Sequence, residues 1–201
     1  MLRILISRPD VQHKVQDEVD RIVGHDRLPS VSDKSSMPYT EAVIFETLRL
    51  ISHLPIGVPH VNLEDAKIVG YDIEKGSMIF SYMKILINTW NIHLSGKVFK
   101  DPYNFCPERF LGPDGHMAPA DSPVRQGFLA FGIGKRACIG EIFARNRIFL
   151  FLASMMQHFT FESEDGNIPD MLDPRNMVAF AIRMPQRYKC KAIKRNKRIT
   201  L

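Results

Sequence analysis

The junction between Phe128 and Ile148 constrains this chain more than any other stretch. Phe128 to Glu141 reads FLAFGIGKRACIGE, with glycines at 132, 134 and 140, and Ile139 to Gln157 then forms the longest strongly apolar run. A helix that is apolar around its whole circumference has to be buried, so the remaining elements are expected to wrap it. Glycines spaced this closely break helix and strand alike. They admit positive φ and let backbone approach a neighbour closely. The material for a core is present, since 45% of the 201 residues are hydrophobic and 24% charged, enough for one domain with a real interior.

Further elements follow from periodicity and punctuation. Pro9 to Val23 places Val11, Val15, Val19 and Ile22 on one face, with Pro9 suited to a first turn and Gly24 to an end. A second helix is expected from Pro38 to Ile51, with Tyr39, Val43 and Leu48 among its apolar positions, and Pro55 closes off any extension. From Ile56 to Leu86, β-branched residues cut by turns at Gly70 and at Glu74-Lys75-Gly76 predict two or three short strands. Gly96 to Pro123 is loop-rich, a length of irregular chain that usually serves a function. His158 to Phe161 and Met177 to Arg183 read as strands, and Met155 and Met156 as core filler. The expected class is mainly α with a small β component.

Charge and cysteine usage narrow the setting. The formal charge of +5 is carried by Gln186–Leu201, which holds seven basic residues and no acid, so the rest of the chain is slightly acidic. Such a basic end could touch anionic membrane lipid or nucleic acid, but it reads as a solvated tail at 191–201, and no nucleic-acid partner is expected. Cys106, Cys138 and Cys190 show no CxxC spacing, which fits neither a disulfide framework nor a zinc site and suits a reducing compartment. Met1–Ser7 is too short for a signal peptide, and no run reaches the roughly 20 apolar residues of a spanning helix.

Cys138 carries the chemistry. It lies ahead of a helix N-terminus, where unpaired amides and the helix dipole favour a thiolate, and Arg136 adds positive charge nearby. A thiolate in a glycine-rich, amide-lined loop suits a soft metal. Local chemistry also allows a buried small hydrophobe. A third reading takes Gly132-Ile133-Gly134-Lys135-Arg136-Ala137 as a loose GxGxxG/A dinucleotide fingerprint, although no βαβ array accompanies it.

Phe131-x-x-Gly134-x-Arg136-x-Cys138-x-Gly140 matches the haem-binding signature of the cytochrome P450 family at each fixed position. Upstream, Glu46-Thr47-Leu48-Arg49 resembles the family's ExxR pair and Pro107-Glu108-Arg109-Phe110 its PERF motif, in the family's order. Pro55–His60, Gly70–Gly76 (with Glu74 where proline is usual) and Asn88–His93 resemble segments of the microsomal, animal-type members. The resemblance runs from about Arg8 to Cys190 and divides the chain into a C-terminal haem-binding portion of the P450 fold at 1–190 and a basic tail at 191–201.

The resemblance implies haem b as cofactor, with Cys138 as axial thiolate, whose electron push favours O–O cleavage. It further implies that Arg136 and His60 grip haem propionates, that Phe131 packs on the thiolate side, and that Gly134 and Gly140 shape the loop. Glu46, Arg49 and Arg109 would form a buried ion-pair network behind the cysteine, while His93 would be structural. The implied activity is a monooxygenase that inserts one atom of O2 into a lipophilic substrate, whether steroid, fatty acid or xenobiotic. Electrons would come from NADPH through a flavoprotein reductase, at the cytosolic face of the endoplasmic reticulum membrane.

Family members are much longer. The expectation is therefore of a truncated chain without the membrane anchor and without the distal helix whose acid–alcohol pair serves O2 activation. Such a chain would be expected to carry no catalytic residue of its own, and the alternative is a non-catalytic fragment that binds haem weakly or not at all. The stretch from Gly76 to Asn88 also exceeds the usual family length, with the extra material at Phe80–Ile87.

Overall fold

The computed structural model describes residues 1–57, 60–76, 78–79, 87–164, 166, 173–176, 178–179, 182–184 and 187–195. The extra material expected at 80–87 lies outside these residues except for Ile87. The class is mainly α with a small β component. Six α-helices are described: α1 (Leu2–Ser7), α2 (Pro9–Ile22), α3 (Pro38–Ile51), α4 (Thr89–His93), α5 (Pro123–Gln126) and α6 (Glu141–His158). Eight short strands, β1 (His60–Val61), β2 (Ala66–Ile68), β3 (Tyr71–Ile73), β4 (Met78–Ile79), β5 (Phe159–Ser163), β6 (Val178–Ala179), β7 (Arg183–Met184) and β8 (Cys190–Lys194), form antiparallel pairs. The pairs are β1–β4, β2–β3, β5–β8 and β6–β7. No helix among the described residues is long and apolar enough to cross a membrane.

The core lies where α2, α3 and α6 meet. Val11, Val15 and Val19 of α2, Val43, Ile44 and Leu50 of α3, and Phe149, Leu152, Ala153 and Met156 of α6 are all buried in one cluster. Proline occupies the first turn of both α2 and α3, where its missing N–H costs nothing and its fixed φ suits a helix. Met37 cannot cap α3 with its side chain. Glu18 of α2 caps it instead, its carboxylate accepting from Tyr39 N (3.0 Å), Thr40 N (2.7 Å) and Thr40 Oγ1 (2.7 Å). The negative charge sits at the positive end of the α3 dipole.

A second set of polar contacts fastens α2 to the sheet. Gln12 donates to Phe161 O (3.0 Å) and accepts from Phe161 N (2.7 Å), and Gln16 donates to Phe159 O (3.0 Å). Two glutamine amides thus satisfy the edge of β5 that β8 leaves open, as a further strand would. They are buried on the flank of the valine stripe.

Two expectations need correcting. The apolar run after Cys138 is not buried all round, because α6 turns one face to α2 and α3 and leaves the other uncovered. Ile142 is 77% exposed, Phe143 66% and Phe151 60%. The basic end is also less of a tail than its charge suggests. Residues 190–194 pair with β5 as β8, and Arg195 bonds Asp20 Oδ2 (2.7 Å) and Met156 O (2.6 Å). Pairing against β5 outweighs the repulsion among these cations, while 196–201 lie outside the described residues.

Candidate functional site

Glu46 and Arg49 stand one turn apart on α3, so their side chains share a face. Neither exposes any side-chain surface. Arg49 Nε and Nη2 donate to the two carboxylate oxygens of Glu46 at 2.7 and 2.8 Å, a bidentate pair. Arg49 Nη1 reaches the carbonyls of His93 (2.6 Å) and Pro102 (2.8 Å). Glu46 Oε1 also accepts from Arg109 Nε (3.1 Å) and from the Cys106 amide (2.9 Å). Arg109 projects from the short 3-10 turn Pro107–Phe110 and bonds the carbonyls of Lys100, Asp101 and Asn104. The three residues expected to associate therefore do so. The network draws α3, the end of α4 and the irregular 100–109 segment to one point, and each buried charge is matched by an opposite charge or a carbonyl.

The connection from this network to the cysteine loop runs through the end of α4. His93 is fully buried, and its Nε2 accepts the Leu129 amide at 2.9 Å. The Phe128 ring lies against Phe45 (4.6 Å), Phe110 (5.9 Å) and His93 (6.0 Å). These contacts anchor the point where the loop leaves the core. Burial, with help from the Arg49 guanidinium, lowers the His93 pKa from 6.5 to about 4. The imidazole is therefore neutral at physiological pH.

Beyond Leu129 the loop projects outward. Gly132 and Gly134 have φ of 77° and 73°, a region a side chain enters only with strain. The Cys138 amide donates to Phe131 O (2.8 Å) and closes the loop. A 3-10 turn at Gly134–Arg136 and the N-cap Gly140 bring the chain into α6. Cys138 is exposed. A Cβ built on Gly140 would sit 3.8 Å from its sulfur, so any longer side chain there would compete for space beside the thiol. Phe131 is half-buried and Arg136 exposed. Arg136 has no ion-pair or hydrogen-bond partner among the described residues. His60 falls in β1, its backbone opposite Ile79, and its side chain lies outside the described residues.

The residues present fit a haem. The sulfur is an accessible soft donor, and among the described residues no group of three His, Cys, Asp or Glu side chains gathers around a common point. Such a donor suits a metal that brings its remaining ligands with it. Ile133, Ile139, Ile142 and Phe143, within five residues of Cys138 in the sequence and between 66% and 105% exposed, offer apolar surface. The guanidinium of Arg136 is available to a carboxylate. A dinucleotide crevice, by contrast, needs parallel strands, and the described pairs are all antiparallel.

Comparison with known proteins agrees with this geometry. The family model for cytochrome P450 matches residues 1–191. Cytochrome P450 2U1 of Mus musculus is 42% identical over 159 residues, covering 79% of this chain and 28% of that protein. Cytochrome P450 1A1 of Macaca fascicularis is 40% identical over 170 residues, 85% of this chain and 31% of the relative. The steroid 17-alpha-hydroxylase/17,20 lyase of Ictalurus punctatus is 39% identical over 186 residues, 92% of this chain and 34% of the relative. The chain thus spans about a third of the length of these relatives. On the family match and on these identities, it belongs to the cytochrome P450 family.

Proposed function

We propose that this chain forms the thiolate side of the haem site of a monooxygenase, and that the complete reaction belongs to a polypeptide of the relatives' full length. The observation that carries this reading is Cys138: an exposed sulfur at the end of a glycine loop whose base is tied to a buried ion-pair network. When bound, haem supplies the activation of O2 for transfer of one oxygen atom to a lipophilic molecule. The work of the chain is binding and orientation. Cys138 would supply the thiolate ligand to the iron, and Phe131 would pack near it. Arg136 and His60 hold the propionates. Gly134 and Gly140 keep the loop narrow enough for the ring to approach. Glu46, Arg49 and Arg109 keep the loop's base from shifting.

Electrons come from NADPH through a flavoprotein reductase that docks on the cysteine side. The full-length protein sits at the cytosolic face of the endoplasmic reticulum membrane. Its substrate is an apolar small molecule, not nucleic acid.

A second reading has its own observation. Ile139, at 105%, and the outward face of α6 leave apolar surface uncovered on the chain that follows Cys138, and a metal site without a dry enclosure loses control of its ligand field. On that reading these 201 residues bind haem weakly and turn nothing over. The chain reconstituted with haem, reduced and exposed to carbon monoxide separates the two. A red-shifted Soret band that disappears in Cys138→Ala supports the thiolate site. A wild-type chain with no such band leaves only the non-catalytic reading for this length of sequence.

A further inference from the structure

His93 occupies a position that a core-filling residue does not need. Its backbone carbonyl accepts Arg49 Nη1 (2.6 Å), and its two ring nitrogens face different elements. Nδ1 lies 3.2 Å from Ser52 Oγ at the C-cap of α3, and Nε2 lies 2.9 Å from the Leu129 amide at the base of the cysteine loop. An amide N–H can only donate, so Nε2 must be the bare nitrogen. The single ring proton then sits on Nδ1 and donates to Ser52 Oγ. Ser52 is one of few non-glycine residues at positive φ, 42°, a strained conformation that persists where its surroundings hold it. The bond to Ser52 is buried and that to Leu129 partly so, and the Phe128 and Phe99 rings flank the imidazole at 6.0 and 6.4 Å.

We propose that His93 is a positioning residue for the cysteine loop: as the Nδ1–H tautomer it carries the Glu46–Arg49 pair across to Leu129 and fixes where the Cys138 loop leaves the core. The proposal deepens the reading of Cys138 as the thiolate ligand and rests on it for its purpose. The tether itself is a property of the chain without haem. The accepting ring is fully buried, so water replaces this bond poorly once the ring is gone. Losing this one therefore frees the loop base and leaves the α2–α3–α6 core in place. The sulfur, nine residues further along, inherits that freedom.

Two amide side chains divide the roles of the ring. Asparagine places its polar atoms near Nδ1, within reach of Ser52 but short of Leu129. Glutamine reaches the Nε2 position and can accept the Leu129 amide. The test uses the 201-residue chain with Cys106→Ser and Cys190→Ser as background and without haem. Amide hydrogen exchange is followed at Leu129 and Cys138, iodoacetamide alkylation at Cys138, and exchange at Ile44 and Phe45 reports the fold. In His93→Asn, exchange at Leu129 and Cys138 should speed up about tenfold, the equivalent of one hydrogen bond, with alkylation faster and α3 amides unchanged. His93→Gln should restore wild-type values.

Equal behaviour of the two variants, or unchanged exchange at Leu129 in His93→Asn, would overturn the proposal. A second measurement needs no variant. Long-range nitrogen–proton correlation on the wild-type imidazole should show the proton on Nδ1, and finding it on Nε2 would also refute the tether. Neither result depends on whether haem binds, so a failed reconstitution would count against the thiolate reading alone.

Discussion

Glu46 accepts four donated hydrogen bonds with no side-chain surface exposed, so its neutralisation strikes the centre of the network. Glu46→Gln leaves Arg49 buried without a counter-charge, which costs roughly 3–5 kcal/mol. Arg109→Ala should cost less, because its guanidinium is 8% exposed and its other partners are loop carbonyls that water can reach. Urea unfolding should rank the two in that order, and equal losses would mean that the buried pair is held by packing alone. The i, i+3 spacing and the motifs made this network legible in the sequence. The role of His93 was not, because a histidine after a short helix signals nothing until its ring is seen against Leu129, far along the chain. Capping by Glu18 was hidden for the same reason. The α3 helix begins with a methionine at its N-cap, and the carboxylate that completes it comes from α2.

At the scale of elements, local punctuation did most of the work. Prolines at helix starts and glycines at turns mark α2 and α3 to within a residue or two, because backbone restrictions at these residues act without tertiary help. Apolar periodicity was less informative for α6, where the run is apolar on both faces and the sequence does not say which face finds a partner. Glu18→Ala removes three accepted bonds from the start of α3, and should cost about 2 kcal/mol or more by thermal or urea unfolding. The uncovered face of α6 should answer in the opposite way. Arg147 lies over the rings of Phe143 and Phe151 at 5.3 and 5.9 Å. Glutamate at either position is spaced to pair with Arg147. Phe143→Glu with Phe151→Glu should therefore change stability by no more than about 0.5 kcal/mol. It should also raise the concentration at which light scattering first detects aggregates, and a large loss of stability would show that this face is packed.

Across the whole molecule, buried polar groups tie elements that hydrophobic contact alone would leave free to slide, and this gives stability a pH dependence. His93 has a pKa of about 4 when folded and 6.5 as a free side chain. Between those values the unfolded chain binds a proton that the folded chain excludes. Stability therefore falls as the pH drops through that window, by about 3 kcal/mol on reaching pH 4, and is fully present above about pH 6.5. The groups facing the ring sharpen the effect. The Arg49 guanidinium opposes a second positive charge, the Leu129 amide needs a bare Nε2, and Ser52 already takes the one proton the ring has. Other groups titrate as well. Burial lowers the Met1 amine to about 6, and Arg27 holds the Asp33 carboxyl well below the usual carboxylate range, so both also make the fold less stable as acid is added. His93→Gln, which cannot take up a proton and still reaches Leu129, cancels these shared contributions by difference. The difference between the unfolding free energies of the two proteins should stay constant above pH 7 and move in favour of the glutamine variant below pH 6, because the wild type alone loses the histidine contribution. Parallel curves down to pH 4 would mean that the imidazole admits a proton without disturbing its neighbours.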